Sequence, residues 1–167
     1  MAVSPDGARI RGLALTLLCC CLLASYGPFA DAGEPETEPA QEIVIPIKTP
    51  KGTVIYAELA DTPIKRGRGL MFRDHLQPDR GMLFTFGDLQ AWSFWMKNTK
   101  IPLDIVWMDD KKKIVHIERN VPICTRTDDS CPQYRSNDGA LFVLELGGGR
   151  AEALDLQRGK RLEFKLP

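Results

Sequence analysis

Apolar and β-branched residues come in short runs divided by turn residues, the pattern of strands rather than of long helices. Residues 42–48 (EIVIPIK) and 53–59 (TVIYAEL) flank the turn Thr49 to Gly52, which predicts an antiparallel pair. Thr62 followed by Pro63 supplies an N-cap and a first-turn proline, so a short helix should start there and stop near Gly69. Strands are predicted again at 81–86 (GMLFTF) and 103–109 (LDIVWMD), then, across the turn residues Asp109 to Lys112, at 113–119 (KIVHIER). A loop within 122–139 leads to an inner strand at 140–146 (ALFVLEL). A short helix near 151–156 and a closing edge strand, RLEFKL, complete the chain. Seven or so strands with hairpin-like links and two small helices predict a mainly β (α+β) fold, an antiparallel sheet curled toward a barrel or sandwich.

The first forty residues follow different rules. Arg9 and Arg11 precede the apolar run Leu13 to Ala24, and Ala30-Asp31-Ala32 has the small-x-small form of a signal peptidase site. Residues 1–32 are expected to be a signal peptide cleaved after Ala32, giving a periplasmic or secreted protein. The run of about 12 residues is short of the roughly 20 a membrane-spanning helix needs, so no permanent anchor is expected. Residues 33–41 (GEPETEPAQ) hold no large apolar side chain and read as a flexible leader; 42–167 should form a single domain.

Three of the five cysteines leave with the signal peptide. The remaining two, Cys124 and Cys131, suit one structural disulfide in an oxidising compartment. Acidic and basic residues balance at 22 each, which gives no footprint for nucleic acid, and the Lys65/Arg66/Arg68 and Lys111–Lys113 clusters read as solvated faces.

The stretch 94–104, FWMKNTKIPLD, sets Lys97, Asn98, Thr99 and Asp104 among large apolar groups. In extended chain Phe94, Met96 and Asn98 share one face and Trp95 and Lys97 the other; further on, Leu103, Ile105 and Trp107 oppose Asp104, Val106 and Met108. Such mixing suits a shallow pocket with an apolar wall and polar anchors. On the functional reading Lys97 binds an anionic group, Asn98 orients a polar one and Trp95 stacks on a ring or sugar face. On the structural reading Lys97 pairs with Asp104 across the Ile101-Pro102 turn and Trp95 is core. Arg73 either joins the polar set or serves the end of the helix.

The segments GLMFR, GMLFTF, FWMKNTKIPLDI and LELGGGRAEALDLQRGKRLEF together resemble domain of unknown function family 192, also called uncharacterised protein family 0127, over about Val44 to Phe164. The resemblance implies a compact β-rich fold, often exported, with a cysteine pair in some members, and it implies no activity. It departs at Lys160, where the family often has aspartate. No metal is expected, because the methionines sit in core phase and His75 and His116 lack ligand spacing. No cofactor motif is present, and the GGGR turn before the last helix is only a weak anion cradle. The expected role is a binding or accessory module that holds a small molecule, a glycan or an envelope protein on Trp95, Lys97, Asn98 and Asp104. The alternatives are an envelope hydrolase with Asp104 as base and Lys97 as electrostatic stabiliser, and a motif that is purely structural.

Overall fold

The computed structural model describes residues 42–126 and 128–167, so the signal peptide and leader expected over 1–41 lie outside the described residues. Eight strands and two short helices follow in the order β1 (Val44–Lys48), β2 (Val54–Ala60), α1 (Pro63–Arg68), β3 (Arg80–Gln90), β4 (Ser93–Trp95), β5 (Leu103–Met108), β6 (Ile114–Val121), β7 (Gln133–Arg135), β8 (Ala140–Gly147) and α2 (Arg150–Ala153). Six of the strands form one sheet in the order β1-β2-β3-β8-β5-β6, and β4 and β7 form a separate two-stranded ribbon. The mainly β class with two small helices holds. The sheet is open rather than closed into a barrel, with β1 and β6 at its edges, and it is mixed, because β2 and β3 pair in parallel.

Local chemistry accounts for most boundaries. Thr62 accepts the Lys65 N–H at 3.3 Å and Pro63 opens α1, while Gly69 ends it at φ 49°. The β5–β6 turn is held by Asp109, whose carboxylate accepts the Lys111 and Lys113 N–H groups at 2.9 and 2.8 Å. Cys124 and Cys131 are disulfide-bonded, with Cα atoms 5.9 Å apart. The predicted closing strand is a different structure: residue 163 pairs with Lys48 on β1 and residue 161 with Lys113 beside β6, so the segment straps two separate strands instead of running along one edge.

All six residues of β5 are buried, because layers cover both faces of the sheet. On one side Val106, Met108, Leu144 and Leu146 pack with Ala151 and Leu154 of the α2 region and with Leu162 and Phe164. On the other, Leu103, Ile105, Trp107 and Phe84 pack beneath Leu70 and Met96. Alternation along β5 therefore sends odd-numbered side chains under the 92–96 segment and even-numbered ones toward α2. No helix among the described residues is long and apolar enough to cross a membrane.

Candidate functional site

The sheet divides the central motif. Asp104 is completely buried on the α2 face, where Oδ1 accepts the N–H groups of Asn120 at 2.6 Å and Gly149 at 3.1 Å, and Oδ2 accepts that of Ala151 at 2.6 Å. The glycine-rich turn does cradle an anion, and that anion is the protein's own carboxylate. Gly148 permits the approach: a Cβ there would stand 2.5 Å from Asn120 Oδ1 and 3.1 Å from Pro102. Gly149 takes φ 81° at the cap of α2.

Trp95, Lys97 and Asn98 belong to the segment over the opposite face. The expected hollow shared by all four residues does not form, and Lys97 does not meet Asp104. Lys97 instead pairs with Asp129 in the disulfide loop, with its ammonium 5.3 Å from the centre of the Trp95 ring. Period-2 geometry ends at Trp95, since Thr99 N–H bonds Met96 C=O at 3.2 Å in a tight turn and Asn98 sits at φ 56°. Asp104, sealed from solvent and occupied by three backbone donors, has no access to a substrate as a base.

What the structure does bring together is GLMFR and the 96–99 turn. Phe72 donates its N–H to Asn98 C=O at 2.8 Å, and the Asn98 amide lies 3.9 Å from Met71 Sδ. Phe72 is at φ 65°. Two facing non-glycine residues in the left-handed region, one of them a bulky aromatic, are conformations that the surrounding structure must over-determine. The outcome is a phenyl ring 58% exposed at the mouth of a cleft.

That cleft, about 390 Å³, lies between α1, the turn after it and β2. Glu58, Lys65, Arg68, Phe72 and Arg73 line it, with Met82 among its apolar residues. Arg73 is committed: both guanidinium nitrogens hydrogen-bond the Glu58 carboxylate. Burial pushes the Glu58 acid up, but Arg73 and Glu42 hydrogen bonds outweigh it and hold the group below the usual range. Glu42, hydrogen-bonded to Glu58, is correspondingly raised. Arg68 makes no ion pair or side-chain hydrogen bond among the described residues, which leaves its guanidinium open to a ligand.

A second carboxyl group lies under this cleft. Glu58, Met82 and Glu145 are register partners across β2, β3 and β8, so all three side chains leave the same face of the sheet, the two glutamates about 10 Å apart by strand spacing. Glu145 is buried, its Oε2 has no hydrogen-bond partner among the described residues, and burial raises its pKa to about 8. It is covered by Gly69, where a Cβ would stand 3.7 Å from that oxygen. One sheet face thus carries an ionised glutamate clamped by arginine and a neutral one in an apolar setting. The sequence reading did not single out Glu58, Glu145 or Phe72. The available signal was an acid inside the apolar run ALFVLEL.

With the geometry in place, comparison with known proteins gives the family. The model of DUF192, described as "Uncharacterized ACR", matches residues 46–164. The chain belongs to the DUF192 family. It is similar to a solved Sinorhizobium meliloti 1021 protein provisionally named a transcription regulator, at 31% identity and a TM-score of 0.67, over 76% of this chain and 98% of that one. It is also similar to a solved protein of unknown function from Novosphingobium aromaticivorans DSM 12444, at 28% identity and a TM-score of 0.65, over 84% of this chain and 99% of the other. No curated protein matches it. GLMFR and WMKNT, which carry the resemblance in the sequence, are the segments whose backbones meet at Phe72 and Asn98.

Proposed function

We propose that this DUF192 domain is an exported binding module that holds a small molecule bearing an acidic group, free or as part of a glycan, in the cleft between α1 and β2. The observation that carries the reading is the Phe72–Asn98 link, which fixes an exposed aromatic ring in a costly backbone conformation at the mouth of a cleft containing an uncommitted arginine. Phe72 supplies an apolar face and Arg68 a fork of donors for a carboxylate or phosphate. Asn98, exposed beside Met71, offers an amide at the rim. Trp95 and Lys97 act behind this surface, tying the 96–99 turn to the disulfide loop through Asp129. Export is supported by the signal-like residues 1–32 and by the Cys124–Cys131 disulfide, which suits an oxidising compartment.

The test is titration of the mature protein with a panel of acidic metabolites and acidic oligosaccharides, read by calorimetry, in wild type and in Arg68→Ala and Phe72→Ala. A ligand bound by wild type and weakened about tenfold or more in both variants supports the cleft. Affinity unchanged in both variants removes it.

A further inference from the structure

A second concavity shares no residue with the first. It measures about 660 Å³ and is bounded by the end of β1, the β5–β6 turn and the C-terminal strap. Five cations line it, Lys48, Lys111, Lys112, Arg161 and Lys165, against only Asp110 and Glu163. In a chain whose formal charges cancel, this is a local positive excess, and it is assembled from three separate segments rather than from one basic run.

Two of the five cations have partners within the fold. Lys112 donates to Phe164 C=O at 2.5 Å and lies 4.6 Å from the centre of the Phe164 ring, and Lys48 stands 3.9 Å from Glu163. Lys111, Arg161 and Lys165 make no ion pair among the described residues, and all three are exposed. Leu162 and Phe164 point into the core beneath the hollow, and Pro46 adds an exposed ring to its lining. The hollow is much wider than a single phosphate. Four of its five cations are lysines, point charges on long stems that tolerate many geometries where a built anion site would fix one. Exposed cations gathered on one open face are complementary to a layer of phosphate headgroups.

We infer that this face docks reversibly onto an anionic phospholipid surface, with Lys111, Arg161 and Lys165 on the headgroup phosphates. Lys111 lies on a solvated turn, as expected, and the proposed role depends on the fold, since Arg161 and Lys165 reach the same place through the strap to β1 and β6.

The test is co-flotation of the mature protein with vesicles of phosphatidylcholine alone and of phosphatidylcholine mixed with phosphatidylglycerol. Binding to the mixed vesicles only, falling as salt rises, is expected. Lys111→Glu/Arg161→Glu/Lys165→Glu should lower the partition coefficient at least about a hundredfold, and Lys165→Gln alone about fivefold. The same charge change placed on other exposed cations, Lys100→Glu/Arg126→Glu/Arg135→Glu, should lower it by less than about tenfold. Equal binding to both vesicle types, no binding at low salt, or equal losses in the two triple variants would overturn the proposal. Displacement from vesicles by free glycerol 3-phosphate would replace it with a soluble phosphate site. Folding of each variant is checked by its melting curve, and the single Lys165→Gln change keeps the test decisive if a triple variant fails to fold.

Discussion

Asp104 accepts the backbone N–H of Ala151 at 2.6 Å, and through this contact the middle of the sheet holds the start of the last helix. The same carboxylate also takes the N–H groups of Asn120 and Gly149, so one side chain joins β5, the end of β6 and α2. Removing it takes the acceptor from three backbone donors, of which the Ala151 N–H is buried. Asp104→Ala should cost about 4 kcal/mol, as measured by urea unfolding. Lys97→Ala, which removes a pair with the largely exposed Asp129, should cost less than about 1 kcal/mol. In a double-mutant cycle the two positions should show coupling below about 0.5 kcal/mol, because they lie on opposite sides of the sheet. Coupling well above that would reinstate the direct pairing suggested by the sequence.

Glu145 sets a pH dependence of stability. Its folded pKa is raised by burial from 4.5 to about 8, so between those values the folded protein keeps a proton that the unfolded chain releases. The unfolded state then binds fewer protons, and stability falls as pH rises through this window and levels off above it. The loss is on the order of 5 kcal/mol. Glu145→Gln, which cannot ionise, should flatten this slope and exceed wild type in melting temperature near the upper end. Parallel pH profiles for the two proteins would show that Glu145 is already ionised in the fold.

Phe72 predicts a separation of stability from binding. At φ 65° a glycine relieves backbone strain, and the ring lost is mostly exposed. Phe72→Gly should therefore change stability by no more than about 1 kcal/mol in either direction, while weakening capture of an acidic ligand at the α1–β2 cleft. A large loss of stability would mean that the ring is held for packing alone.

The disulfide supports the Trp95 side of the molecule through Asp129. Closing so short a loop restricts the unfolded chain by about 2.5 kcal/mol, so Cys124→Ser/Cys131→Ser should lower unfolding free energy by up to about that amount. Asp129, the partner of Lys97, lies in the same loop, and the Trp95 ring should become more accessible to a fluorescence quencher. Thiol titration of the denatured, oxidised chain from residue 33 onward should find no free thiol.

The features legible in the sequence are those set by neighbours along the chain. Thr62-Pro63 and Gly69 bracket α1, Asp109 to Lys112 mark the hairpin, and Cys124 and Cys131 are close enough to pair wherever the rest folds. Alternation also placed Leu103, Ile105 and Trp107 opposite Asp104, which the two cores reproduce. It could not say what covers each face. That Met96 lies over one side of β5 and Ala151 over the other depends on packing between distant segments, so the shared hollow expected for Trp95, Lys97, Asn98 and Asp104 failed there. The Glu58–Met82–Glu145 row escaped for a related reason: it exists only through the parallel register of β2 with β3 and the antiparallel register of β3 with β8. Arg73 was a single cation in the sequence and became half of a bidentate clamp once Glu58 stood beside it.

The position of β8 bears on how the molecule is made. β3 and β5 are not bonded to each other; β8 lies between them, and it is the last strand of the sheet to leave a ribosome. Until it emerges, both neighbours keep open, apolar borders, and the two halves of the core have no common wall. The sheet therefore cannot be completed before β8 is available, and its two halves are joined by the strand that is made after all the others in it.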